Sequence, residues 1–202
     1  MKLIELLEGR NSPCIVVDVQ PEYTGYDSIS PVNWIDEMMH FLNMQGNVLM
    51  FVNAEQDGLT SDTVQDVQMY WAESGYDERK WNQTEIVDKG YGHFRSWMGQ
   101  GIDDATIIRT IRAMYQQRVY DSRSLFGGED SETYIQDMAT LGVPEHILDE
   151  YFRVEWTSVA QLKRFSGSYL MGGGRDECLR EVTLLMNAFN IKYRLVNEFI
   201  YG

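Results

Sequence analysis

Residues 14–20, CIVVDVQ, form a short and continuous apolar run that ends in a carboxylate and is followed by Pro21. A run of this length without polar alternation is typical of a strand buried on both faces, as in parallel sheets. Residues 47–53, NVLMFVN, have the same character. The two runs are separated by a helical pattern, which predicts that they lie parallel in one sheet.

Further strands and helices alternate along the rest of the chain. Helical spacing of apolar residues runs from Pro31 to Met44, and Ser61 and Asp62 resemble the cap of a helix that continues to about Ser74. Three more strands are predicted at residues 84–89, 168–171 and 191–199, the last after a helix that Asn190 closes. This order predicts a three-layer α/β fold with a mostly parallel, Rossmann-like sheet flanked by helices.

The length of 202 residues favours one α/β domain spanning 1–202. Residues 103–152 interrupt the strand pattern with helical spacing, a cap at Asp103 and a break at Gly127 and Gly128. We interpret 103–152 as a helical insertion within the domain.

Charge and cysteine content narrow the function classes. The chain has 17 Lys and Arg against 31 Asp and Glu, a formal charge of −14, which repels nucleic acid and anionic membrane surfaces. Arg109, Arg112, Arg118 and Arg123 are either a local basic patch or the solvated face of a helix. Two cysteines make no disulfide framework, and Glu5 and Glu8 interrupt the first apolar residues, so a cytoplasmic location is expected.

Three reactive side chains end or follow predicted strands: Asp18, Lys89 and Cys178. The carboxyl ends of parallel strands meet at one edge of the sheet, where ligands bind in this fold class. A helix amino terminus and an ammonium group both favour a thiolate, and a carboxylate can take the thiol proton. Amides of the glycine turn, including those of Gly174 and Cys178, would stabilise a tetrahedral oxyanion. The set therefore predicts attack by Cys178 on a carbonyl carbon.

Three segments resemble the isochorismatase-like cysteine hydrolases: CIVVDVQ at 14–20, DKGYGHF at 88–94 and GGGRDECL at 172–179. The resemblance implies a catalytic triad of Asp18, Lys89 and Cys178, with a cis peptide between Gly173 and Gly174 beside the oxyanion hole. It also implies an enzyme that hydrolyses a small amide or carbamoyl substrate through a thioester, because isochorismatases proper commonly lack the cysteine. The predicted substrate-pocket residues are Gln20, Tyr91, Phe94 and Arg175.

No metal or other cofactor is expected. Nicotinamidases of this family hold a metal with an aspartate and histidines, whereas the region after the second strand, residues 53–57, contains no histidine. The GGGRDECL turn also resembles that of uncharacterised proteins of tailed bacteriophages.

Other interpretations of the same residues remain open. Cys178 is alternatively a small buried side chain, or the partner of His93 in a Cys–His pair, and Asp18 is alternatively the cap of a neighbouring turn. The glycine turn is alternatively a phosphate site. The chain as a whole is alternatively a non-catalytic module that binds a metabolite or a protein, and a homodimer is a further expectation. Aromatic residues near Lys89 either pack or line a pocket: Trp71, Tyr76, Trp81, Tyr91, Phe94 and Trp97.

Overall fold

The computed structural model describes residues 12–25, 34–52, 62–89 and 94–201. The chain divides into two compact units. The first comprises Met1–Tyr91, Arg164–Arg180 and Lys192–Gly202, and the second comprises Gly92–Lys163 and Glu181–Ile191. The predicted insertion, residues 103–152, falls within the second unit.

A five-stranded sheet lies in the first unit, and every pairing in it is parallel. The strand order is β3-β2-β1-β4-β5, so the order reverses between β1 and β4. Helices alternate with the strands, and the predicted three-layer α/β class is confirmed. The strands are β1 Cys14–Val17, β2 Val48–Val52, β3 Thr84–Asp88, β4 Ser168–Gly172 and β5 Tyr193–Leu195.

Seven α-helices occur in the described ranges: α1 Trp34–Asn43, α2 Val64–Glu73, α3 Arg95–Gly99, α4 Asp104–Gln117, α5 Tyr134–Thr140, α6 Trp156–Arg164 and α7 Cys178–Ala188. Shorter turns of 3₁₀ helix lie at Glu78–Gln83, Ser122–Gly127, Glu145–Ile147 and Asn197–Phe199, and a π-helical turn lies at Pro21–Gly25. Within those ranges, no helix combines the length and the apolar character needed to cross a membrane.

The core of the first unit follows from its apolar runs. All residues of β1, β2 and β4 are buried, as expected for strands covered on both faces. Helix α1 packs its apolar side against the sheet through Trp34, Met38, Met39, Phe41 and Leu42. The three central strands of the sheet therefore form a fully buried base for the loops that leave its carboxyl edge.

Two boundaries differ from the predictions. Thr63, rather than Asp62, caps α2: its hydroxyl accepts the Asp66 N–H at 3.1 Å, and the Asp66 carboxylate accepts the Thr63 N–H at 2.8 Å. The last strand ends at Leu195 rather than Phe199. The next buried residues, Val196 and Phe199, are three positions apart, which is the spacing of the 3₁₀ turn that Val196 precedes and Phe199 ends. Pro31 and Ser61 lie outside the described residues.

Gly172, the last residue of β4, is expected to tolerate no side chain. Its φ is +77°, and a Cβ there would lie 2.4 Å from the Val17 carbonyl oxygen and 2.7 Å from the Val19 side chain. Gly167 has a similar φ of +90° with open space around it, so it is the matched control. Gly167→Ala should cost about 1 kcal/mol of unfolding free energy through backbone strain, and Gly172→Ala about 2 kcal/mol more. Urea denaturation measures both, and equal losses would contradict the crowding.

Candidate active site

Asp18 and Lys89 form a buried ion pair at the carboxyl edge of the sheet. The Lys89 Nζ donates to Asp18 Oδ2, and the two side chains are 2% and 0% exposed. Each residue directly follows a strand, and their backbone amides continue the ladder by donating to Phe51 and Val52 of β2. The Lys89 side chain therefore reaches past the end of β2, which lies between β1 and β3.

The main chain at Asp18 turns sharply. Its φ is +47°, a left-handed conformation that costs a non-glycine residue about 1 kcal/mol. The Asp18 carbonyl accepts the Tyr201 hydroxyl at 2.9 Å, and the next carbonyl, of Val19, accepts the Trp71 indole N–H at 2.8 Å. These contacts hold the residue at the point where the chain leaves β1.

Among the described residues, only one oxygen of the Asp18 carboxylate accepts a hydrogen bond. Oδ1 is buried, and no donor among the described residues lies within hydrogen-bonding distance of it. An unsatisfied carboxylate oxygen in the interior is costly, and such groups in native proteins often mark functional sites. Oδ1 is thus a buried acceptor that no donor of the described residues satisfies.

Cys178 begins α7 and is 9% exposed. The turn before it folds back on itself, because the amides of Glu177 and Leu179 both donate to the Gly174 carbonyl at 3.1 Å. Gly173 has a φ of +64°, and a Cβ there would lie 3.0 Å from the Leu179 nitrogen and 3.3 Å from the Val17 side chain. Gly173 therefore lies close to both the start of α7 and the last residue of β1.

Asp18 directly follows β1, and Cys178 comes after the turn that follows β4. These two strands are neighbours at the point where the strand order reverses. β1 pairs with β4 so that Val17 lies beside Gly172. Burial is the main cause that raises the pKa of the Tyr201 hydroxyl, and interactions with Asp18 and Cys178 raise it further. Asp18 and Lys89 thus meet at the carboxyl edge of the sheet, and Cys178 begins the helix that follows the neighbouring strand β4.

The peptide between Gly173 and Gly174 is trans, so the cis peptide implied by the family resemblance is wrong. Trans is the ordinary form, because a cis bond without proline costs about 3 kcal/mol. Gly174 instead forms a parallel bridge to Tyr201, and the Arg175 amide donates to the Tyr201 carbonyl at 3.1 Å. The amides of Arg175, Glu177 and Leu179 are therefore engaged by backbone carbonyls.

Three of the predicted pocket residues, Gln20, Phe94 and Arg175, lie in the described part of the chain. Gln20 is fully buried and donates to Asp62 Oδ2 at 3.4 Å, while the same oxygen accepts the Glu22 amide at 3.0 Å. Arg175 is exposed and donates to Asn197 at 3.2 Å. Phe94 is buried in the second unit, where its ring contacts Phe152.

Tyr91 and His93 lie outside the described residues. The aromatic residues near Lys89 otherwise pack among themselves. Trp71, Tyr76 and Trp81 form one cluster in the first unit, with centroids 4.9 to 6.2 Å apart, and Trp97 joins Phe152 in the second.

Of the predicted basic stretch, Arg109 and Arg112 donate to backbone carbonyls within the second unit, and Arg123 pairs with Asp121.

Sequence reasoning missed Tyr201, Trp71 and Asp62, which hold the loops after β1. Trp71 was predicted only as part of an aromatic group. Asp62 was predicted as a helix cap, and it caps the π-helical turn at Pro21–Gly25 through the Glu22 amide instead. No pattern around Tyr201 distinguishes it from other tyrosines near a chain end.

The two free cysteines are expected to differ in reactivity. Burial raises the pKa of Cys14 to about 12, and its side chain is fully inaccessible in β1. Because only the thiolate is alkylated, iodoacetamide at pH 7.5 should label the folded chain once, at Cys178, and the unfolded chain twice. Peptide mass mapping measures the sites, and labelling of Cys14 in the folded chain would contradict the assignment.

Comparison of the chain with models of protein families, with curated proteins and with solved structures finds no match in any of the three. The case for a function therefore depends on the geometry of the site.

Proposed function

We propose that the protein is a cysteine hydrolase of the isochorismatase-like kind that cleaves a small amide or carbamoyl substrate through a thioester on Cys178. The observation that carries the proposal is the Asp18 carboxylate. One oxygen is paired with Lys89, and the other is buried with no donor in reach among the described residues. A carboxylate held in this way can take and return a proton while Lys89 keeps it fixed.

The proposed reaction uses these groups in sequence. Asp18 Oδ1 takes the Cys178 thiol proton as the sulfur bonds to the substrate carbonyl carbon. The amides of Gly174 and Cys178 stabilise the oxyanion. As the tetrahedral intermediate collapses, the C–N bond breaks and Asp18 returns its proton to the departing amine.

Water completes the turnover. It adds to the thioester carbonyl as Asp18 takes one of its protons, and collapse breaks the C–S bond. The proton on Asp18 then passes to the Cys178 sulfur, which restores the thiol. The net change is one amide and one water converted to one acid and one amine. A reducing compartment such as the cytoplasm suits this chemistry, because both cysteines are free.

A panel of primary amides, N-carbamoyl amino acids and ureido acids tests the proposal. The purified full-length chain should release ammonia or amine from at least one member at a rate that a Cys178→Ala variant loses. Product release is followed by coupled detection of ammonia and by mass spectrometry. An absence of turnover across the panel would contradict hydrolysis and favour the non-catalytic binding module.

A further inference from the structure

Tyr201 contacts both halves of the proposed site. Its hydroxyl donates to the Asp18 carbonyl at 2.9 Å, and its backbone bridges Gly174 and accepts the Arg175 amide at 3.1 Å. One residue near the end of the described chain thus joins the turn after β1 to the turn that precedes Cys178. Neither contact belongs to the hydrogen bonding of the sheet.

The segment that carries Tyr201 is itself anchored to the core. The Trp34 indole N–H donates to the Glu198 carbonyl at 3.1 Å, and its ring meets the Tyr201 ring edge-on with centroids 5.9 Å apart. Phe199, which lies between Glu198 and Tyr201 in the sequence, is 1% exposed and contacts Phe41. These contacts therefore hold the Tyr201 ring in place in addition to the hydrogen bond that its hydroxyl makes to Asp18.

We infer that Tyr201 is a positioning residue whose hydroxyl holds Asp18 in its left-handed conformation and so fixes the carboxylate relative to Lys89 and Cys178. The inference rests on the proposed function. A non-glycine residue at a φ of +47° relaxes unless its surroundings oppose the change. The hydrogen bond to the Asp18 carbonyl opposes it directly, since relaxation would rotate that carbonyl away.

The hydroxyl remains a donor over the pH range in which a thiol titrates. Burial raises its pKa well above the ordinary value for tyrosine, and the neighbouring acidic groups add to the effect: Asp18, Cys178, Tyr23 and Glu177. Loss of the phenolic proton therefore does not interrupt the contact at any pH used to study Cys178.

Tyr201→Phe removes the hydroxyl and retains the ring against Trp34. Tyr76→Phe is the matched control, because the Tyr76 hydroxyl also makes a partly buried hydrogen bond, 2.7 Å from Thr84 Oγ1. Thr84 lies at the amino end of β3, whereas Asp18 and Lys89 follow the carboxyl ends of their strands. The rate of Cys178 alkylation by iodoacetamide is measured from pH 5 to 10 for both variants, for wild type and for Asp18→Asn. Peptide mass mapping identifies the labelled site.

Asp18→Asn should displace the pH–rate curve to lower pH by about one unit or more, a tenfold change in rate on its rising part, because a carboxylate near a thiol disfavours the thiolate and the substitution removes that carboxylate. Tyr201→Phe should displace the curve in the same direction by a smaller amount, and Tyr76→Phe should leave it in place. A structural role alone would lower the melting temperature of both tyrosine variants and move neither curve.

The outcomes separate the two claims. If Asp18→Asn displaces the curve and Tyr201→Phe does not, or displaces it the other way, only the role of Tyr201 is overturned. If Asp18→Asn leaves the curve unchanged, the shared site is wrong and the inference is overturned with it. Trp34→Phe, which removes the anchor at Glu198, is a second variant should Tyr201→Phe fail to fold, and it should displace the curve in the same direction.

Discussion

Lys89→Met is expected to lower the free energy of unfolding by about 3–5 kcal/mol. The substitution leaves the Asp18 carboxylate buried without its counter-charge, and both side chains are almost fully removed from water, at 2% and 0% exposure. The ion pair as a whole need not stabilise the fold, because burying two charges is costly. Removal of one partner is nevertheless severe. Urea denaturation followed by far-UV circular dichroism measures the loss.

Arg164→Met is the matched control, because Arg164 pairs with Glu85 through two hydrogen bonds in the same unit. Those side chains are 61% and 33% exposed, so water screens the pair and its loss should stay within about 1 kcal/mol. A Lys89→Met and Asp18→Asn double variant should recover part of the stability, since no unpaired charge remains. Equal losses for Lys89→Met and Arg164→Met would contradict a buried pair.

Cys178→Ser is expected to lower turnover of any amide that the panel identifies by about 10³-fold or more. A hydroxyl at this position is a far weaker nucleophile than a thiolate, because it stays protonated at neutral pH. The fold should change little, since one small side chain replaces another at the start of α7. Turnover and unfolding free energy are measured on the same preparation.

Cys14→Ser makes the same chemical change at the other free cysteine. Cys14 is fully buried in β1, so the hydroxyl should reduce stability while the turnover of the folded fraction stays within about two-fold. The pair of variants therefore separates chemistry from folding. Turnover by Cys178→Ser within tenfold of wild type would rule out Cys178 as the nucleophile.

The sheet and the approach of Asp18 and Lys89 at its edge could be predicted from the sequence because each depends on a local pattern. β1 and β2 are unbroken apolar runs, and parallel strands bring their carboxyl ends to one edge, so Asp18 and Lys89 meet although 71 positions separate them. The cap at Asp103 was predictable for a similar reason: its carboxylate accepts the Thr106 amide three residues later.

Contacts that depend on the path of a loop could not be predicted. The contact of Tyr201 with Asp18 joins residues 183 positions apart, and it follows from where the chain turns after β5 rather than from any periodicity. Asp62 lies one residue before a capping box that Thr63 and Asp66 complete, so a cap at Ser61 or Asp62 is a one- or two-residue error in the pattern. The trans peptide at Gly173 shows that a motif resemblance does not specify a backbone conformation.

The pH dependence of Cys178 alkylation in wild type and in Asp18→Asn tests most directly whether thiol and carboxylate share one site. Near-UV circular dichroism at each pH confirms that both chains are folded during the measurement. We predict that the wild-type curve rises at a lower pH than that of a simple cysteine peptide, whose thiol pKa is about 8.5, and that Asp18→Asn displaces it to a still lower pH. Superimposable curves for wild type and Asp18→Asn would contradict the account.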